Sequence, residues 1–333
     1  MKRALLVGVD EYPTLSSLTG CVSDATALDE LLARNSDGSP NWHTELLTGN
    51  ALTISVTRDS LRHALLDLFS NARDAHLLFF FAGHGALTPW GADLVTQDAA
   101  PNSLGVSMND LITLANDSPA LTVTLLLDCC FSGDAGNSPA FQTSGVADSF
   151  RLGRVVLREN VTVMAASRAT EVAAEVGDHG AFTRVLLDGL EGGATDHRGN
   201  VTALSLYGYV SAAFGAWDQR PVLKAYLIDP PVLRVGPPWL DPELLRRLPD
   251  HFPTENHRLQ LTPAHEGDGR PLADGEAGTF EQQQFDYLGR LRNANLVTTD
   301  NRRDHYWVAM ENGFVYLTSL GRYFWRLASR GLL

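Results

Sequence analysis

The sequence predicts an α/β protein built on a mostly parallel sheet. Short apolar runs recur along the first two thirds of the chain, helical spacing separates most of them, and several stop abruptly at polar or glycine-rich turns. A continuous apolar run of strand length suits a strand covered on both faces. Alternation of such runs with helices is the pattern of a layered parallel sheet.

The elements follow in order. Residues 3–9 (RALLVGV) form the first strand and stop at Asp10, and a loop with Pro13 and Gly20 follows. Val22, Ala25, Leu28 and Leu32 then share a helical stripe. His43–Leu47 is a second strand, and Thr57 caps a helix from Arg58 to about Ala72. Residues 76–82 (HLLFFFA) are the third run and end at Gly83-His84-Gly85. Ser107 caps a helix through Ala115. Residues 121–127 (LTVTLLL) end at Asp128-Cys129-Cys130, and 161–166 (VTVMAA) form a fifth run. Helices near Phe182–Leu190 and Ala203–Ala216 precede a last strand at Pro221–Leu227.

Composition narrows the class. The 333 residues are 44% hydrophobic and 20% charged, as expected of an ordinary globular protein. A net charge of −13 works against a whole-molecule grip on nucleic acid. The sequence has no apolar run long enough to span a membrane, and its first run is too brief for a signal peptide. The three cysteines, Cys21, Cys129 and Cys130, make neither a disulfide framework nor a zinc motif. The expectation is a reduced, cytoplasmic protein.

Two residues carry the chemistry. In parallel sheets working side chains sit just past the carboxyl ends of strands. His84 and Cys130 each lie there. A thiol becomes a good nucleophile at neutral pH when a base takes its proton, and histidine is the usual base. The glycines flanking His84 permit a tight turn and close approach of a substrate backbone. The backbone N–H groups of Gly85 and Cys130 are candidates for an oxyanion hole.

At this point the sequence resembles a known family. LLFFFAGHG followed by LLLDCCFSG looks like the caspase-like cysteine peptidases, nearest to metacaspases and their bacterial relatives. LLVGVDEYPTLSSLTGCVSDATAL, MAASRATEVAAE, GAFTRVLLDGL and GGATDHRGNVT extend the resemblance from about residue 3 to residue 230. It implies a three-layer sandwich around a mostly parallel six-stranded sheet, with His84 as catalytic base and Cys130 as nucleophile. The family pattern Asp-x-Cys-x-Ser-Gly leaves Cys129 as a small packing residue. By the same resemblance Asp24 and Asp128 line the pocket for the residue before the scissile bond. Two carboxylates suit a guanidinium, which implies cleavage after Arg, or Lys, in protein or peptide substrates. Two positions depart from the family: Ala82 where many metacaspases have Ser, and Phe131 where many have His. Many metacaspases need calcium, but no acidic cluster here has a recognisable ligand spacing, so calcium dependence is open and no metal ligand is assigned.

Residues 134–150 read as a linker where such enzymes are often processed, and Arg151, Arg154 and Arg158 after it are candidates for self-cleavage. The expected organisation is a peptidase domain at 1–236, a linker at 237–279 and a small α+β module at 280–333. That module resembles a winged helix: a helix over 280–295, a β-hairpin around turns at Asp300–Asp304 and Glu311–Gly313, and a helix after Thr318. Its core is expected from Tyr306, Trp307, Phe314, Tyr316, Tyr323, Phe324 and Trp325. Seven arginines against five carboxylates leave it barely positive. A regulatory protein partner is therefore expected there rather than DNA, with no membrane. The whole reads as an effector of bacterial defence or cell death. The alternatives are a silent scaffold of the same fold and a DNA-binding regulator.

Overall fold

The structure, a computed structural model, describes every residue except 51, 53, 89–90, 102, 130–155, 167–178, 215–220 and 268–277. The chain divides into two compact units, Met1–Pro237 and Pro238–Leu333.

The strands of the first unit are β1 (Lys2–Val9), β2 (His43–Gly49), β3 (His76–Ala82), β4 (Gly85–Thr88), β5 (Gly91–Ala100), β6 (Ser103–Ser107), β7 (Thr122–Asp128), β8 (Val161–Ala165), β9 (Asn200–Thr202), β10 (Val222–Tyr226) and β11 (Val232–Val235). Its helices are α1 (Cys21–Ala33), α2 (Arg58–Phe69), α3 (Met108–Asp117), α4 (Ala181–Asp188) and α5 (Ala203–Ala213). The main sheet has the order β10-β8-β7-β3-β1-β2. Five of its strands are parallel, and β10 runs antiparallel to β8 at the edge.

Side-chain alternation explains the layers. Leu5, Val7, Leu77, Phe79, Phe81, Leu125 and Leu127 pack with Leu61 and Leu65 of α2 and Leu111 of α3. Their chain neighbours Ala4, Leu6, Leu78, Phe80 and Leu126 pack on the other face, with Leu28 and Leu32 of α1, Leu186 of α4 and Leu206 of α5. The inner strands β1, β3, β7 and β8 are buried on both faces, which is why their sequences are mostly apolar, whereas the edge strands β2 and β10 are not. Thr57, Ser107 and Thr202 cap α2, α3 and α5 with their side chains.

The three-stranded antiparallel sheet β4-β5-β6 was not expected. Its strands are rich in Gly, Ala and Asp, so the two-residue period is weak in the sequence.

The second unit corrects the expected boundaries. Its elements are α6 (Pro242–Arg246), α7 (Leu248–His251), β12 (Arg258–Gln260), α8 (Pro263–Glu266), α9 (Phe280–Asn293), β13 (Val297–Thr299), α10 (His305–Met310), β14 (Phe314–Leu317) and α11 (Ser319–Ser329). The segment expected as a linker, 237–279, supplies three helices and the strand β12. Residues 268–277 of that segment lie outside the described residues. The sheet order is β12-β14-β13, antiparallel throughout. The second run of the expected hairpin is helical, because Asp304 caps it by accepting from the Tyr306 N–H at 2.9 Å.

The core of this unit also differs from expectation. Leu240, Leu245, Leu248, Phe252, Leu259 and Leu261 bury against Tyr287, Leu288, Leu291, Val315 and Phe324. Of the expected aromatics Phe324 is in the core and Trp325 packs against it, while apolar residues from 240–261 take the place of Tyr306, Trp307, Phe314 and Tyr323, which are exposed.

Candidate active site

The parallel ladder sets the site. Ala82 of β3 pairs with Asp128 of β7, and the Gly83 N–H donates to the Asp128 carbonyl at 3.3 Å. His84 and Cys130 each stand two residues beyond that pair in sequence. Cys130 itself lies outside the described residues. Cys129 is buried in the core among the apolar residues of one sheet face, the environment of a packing residue.

His84 is buried and held at two points. Its Nε2 lies 2.8 Å from the Ser16 carbonyl oxygen. A carbonyl only accepts, so Nε2 carries the ring proton and Nδ1 keeps its lone pair. The Tyr12 ring lies against the imidazole, centroids 4.8 Å apart, and the Tyr12 hydroxyl accepts the His84 backbone N–H at 2.9 Å. Burial pushes the His84 pKa below its ordinary value, and the bond to Ser16 works the other way. The ring is thus held neutral and basic at Nδ1. Gly85 opens β4 opposite Leu94.

Asp24 sits in the first turn of α1 with 2% of its surface exposed. Its Oδ1 takes a bond from His179 Nδ1 at 2.8 Å, and Oδ2 takes the Gly180 N–H at 3.3 Å. Asp128 Oδ2 accepts from Thr183 Oγ1 at 2.6 Å. A β-carbon built on Gly180 would lie 3.0 Å from Asp128 Oδ2 and 3.2 Å from Asp24 Oδ2, so both carboxylates face the same small gap over the start of α4. Burial, and next the Asp128 carboxylate, push the Asp24 pKa up to about 7 against the lowering bonds from His179 and Gly180. Burial also raises Asp128, offset by Thr183.

Asp24 and Asp128 thus come together at one gap, and His179, Gly180 and Thr183, which bond to them, were not singled out in the sequence. Their one signal was a glycine followed by the helix start AFTRVLLD. Among the described residues no three His, Cys, Asp or Glu side chains converge to hold a metal ion.

Of the self-cleavage candidates, Arg151 and Arg154 lie outside the described residues. Arg158 is a structural clamp. Its guanidinium donates to the carbonyls of Ala115, Ala120 and Glu159 at 3.2, 2.9 and 2.7 Å. Among the described residues no helix is long and apolar enough to cross a membrane.

Residues 1–229 match the family model of the caspase domain. The chain is 29% identical over 143 residues to metacaspase-6 of Arabidopsis thaliana, and 29% identical over 158 residues to metacaspase-1 of Meyerozyma guilliermondii. These matches cover 40% and 44% of this chain and 38% of each relative, so the chain spans about two fifths of their length. Among solved structures, a Geobacter sulfurreducens protein aligns at 16% identity over 71% of this chain and 97% of its own, with a TM-score of 0.48. Pro-Sf-caspase-1 aligns at 14% identity over 70% of this chain and 90% of its own, with a TM-score of 0.45.

Proposed function

The chain belongs to the caspase-domain peptidase family, and we propose that it is a cysteine endopeptidase cleaving protein or peptide chains after Arg, with Lys accepted less well. His84 Nδ1 takes the Cys130 thiol proton. The thiolate attacks the carbonyl after the basic residue, and the amides of Gly85 and Cys130 hold the oxyanion. The leaving amine takes the proton back from His84, and water activated by the same nitrogen hydrolyses the thioester. Asp24 and Asp128 bind the basic side chain. The observation that carries this reading is the 2.8 Å approach of His84 Nε2 to the Ser16 carbonyl oxygen, which assigns the ring proton to Nε2 and leaves Nδ1 as a base.

Hydrolysis of paired fluorogenic peptides with Arg, Lys or Asp before the bond tests it, on wild type and Cys130→Ala, with and without calcium. Turnover of the Arg peptide that vanishes in the variant supports the proposal. Silence on every peptide, in both calcium conditions and after removal of the second unit, leaves a scaffold of the same fold. The calcium arm shows whether turnover depends on calcium. Self-cleavage, if it occurs, is proposed after Arg151 or Arg154, and a mass spectrum with no break between 134 and 160 under active conditions refutes it.

The second unit is proposed as a winged-helix regulatory module with a protein partner. The sheet order β12-β14-β13, with α8 and α9 between β12 and β13, supports that reading, and α10 stands between β13 and β14 where a hairpin wing was expected. Its exposed Tyr306, Trp307 and Tyr323 support a protein partner. DNA is disfavoured by its charge. With the boundary at Pro238 the unit holds eleven arginines against thirteen carboxylates. A role in defence or cell death rests on domain organisation alone.

A further inference from the structure

We infer that Tyr12 is a positioning residue of the dyad, and that Gly83 is glycine because Tyr12 occupies the space its side chain would need. The inference rests on His84 acting as the base. Tyr12 is 5% exposed, and its hydroxyl accepts the backbone N–H of His84 at 2.9 Å. A β-carbon on Gly83 would lie 2.6 Å from the Tyr12 hydroxyl and 3.1 Å from two ring atoms of Phe81. The turn that lifts His84 off β3 is therefore fitted against a side chain from the loop after β1.

That loop controls both the ring and the backbone of His84. Tyr12 takes the backbone N–H, and four residues later Ser16 takes Nε2. The loop is anchored along its length. The Asp10 N–H donates to the Gly49 carbonyl at 3.0 Å and the Leu18 N–H to the Asp10 carbonyl at 2.7 Å. The Asp10 carboxylate accepts the Val22 N–H at 3.2 Å. Gln97 Nε2 donates to the Glu11 carbonyl at 3.0 Å, and Thr14 Oγ1 to the Ala99 carbonyl at 3.0 Å. Burial keeps the Tyr12 phenol protonated and neutral. A base fixed at its ring nitrogen, its ring face and its backbone keeps Nδ1 in one orientation, and a small misplacement of such a group is costly in rate.

Tyr12→Phe, Gly83→Ala and the double variant test this in the full chain. Tyr12→Phe keeps the ring and removes the acceptor. It should lower kcat on the Arg peptide about tenfold with KM within about twofold, and slow iodoacetamide alkylation of Cys130, located by peptide mass spectrometry, in parallel. Gly83→Ala should be more damaging in the wild-type background than in the Tyr12→Phe background, because removing the hydroxyl clears the closest clash, and Phe81 limits the rescue to a partial one. A purely structural role would lower melting temperature without this kcat-selective loss. Wild-type turnover and alkylation in Tyr12→Phe, or an equal cost of Gly83→Ala in both backgrounds, overturns the inference. His84→Ala separates the two claims. If Cys130 alkylates at the wild-type rate without the imidazole, the dyad itself is wrong and the inference falls with it. If His84→Ala slows alkylation and Tyr12→Phe does not, the inference alone falls.

Discussion

If Asp24 and Asp128 bind the basic residue as proposed, two carboxylates facing one gap set a pH requirement on that binding. Asp24 is held near pKa 7 by burial and by Asp128, so below that pH the empty pocket keeps a proton on it. A guanidinium needs the charged form. The kcat/KM for an Arg peptide should therefore rise with pH through about 7, and Asp24→Asn should flatten that rise while lowering kcat/KM roughly a hundredfold at pH 8. Burial shifts the His84 pKa downward, so a limb from the proposed base falls on the acid side of the Asp24 rise. The stability sign is opposite. A raised carboxylate pKa adds stability that is complete below about 4 and is lost as pH rises through about 7. Melting of the ligand-free protein should show Asp24→Asn removing that loss. Both carboxylates were legible because each sits at a fixed offset in a motif. His179, Gly180 and Thr183 were not, because single polar residues at the start of a helix have no period to betray them.

Elements buried on both faces were the easiest to read and carry their own energetic flaw. Thr124 of β7 and Thr162 of β8 are register partners in the middle of the sheet. Both hydroxyl oxygens are buried with no hydrogen-bond partner among the described residues. Thr124→Val keeps the shape and removes an unsatisfied group, so it should raise stability by about 1 kcal/mol in urea denaturation. Arg234 of β11 is the contrasting case. It is 9% exposed and donates to the carbonyls of Leu31, Arg34 and Leu190 at 3.0, 3.0 and 2.9 Å. One side chain thus satisfies the carboxyl end of α1 and the turn after α4. Arg234→Ala should cost roughly 2–4 kcal/mol, since it strands buried acceptors as well as losing bonds. An arginine in a short apolar strand gives no such signal in sequence, where it reads as a surface charge. Long apolar runs locate the main sheet strands, while the short α6, α7 and β12 offer too few turns for a period and read as linker.

At the scale of the molecule, the apolar clusters separate cleanly by unit. The two clusters on the main sheet draw on residues 4 to 233, and the third draws on residues 240 to 333. A unit with its own core folds alone. Residues 238–333 expressed by themselves should melt cooperatively, and circular dichroism of the full chain should contain that transition as a component. The same fragment should give no salt-dependent gel shift with duplex DNA. Phosphate binding needs arginines free to exchange their counterions. Here Arg258 pairs with Asp300 at 2.5 Å, Arg292 with Asp304 at 2.5 Å, Arg290 with Asp286 at 3.0 Å, Arg246 with Glu243 at 2.9 Å and Arg326 with Glu255 at 3.3 Å, and Arg303 pairs with Glu311. All but Arg326–Glu255, whose carboxylate is half-buried, are exposed and add little to stability, yet each competes with a phosphate for its arginine. A shift at low salt that weakens steeply as salt rises would show that DNA outcompetes these carboxylates, and would move the second unit from partner recruitment to nucleic-acid sensing.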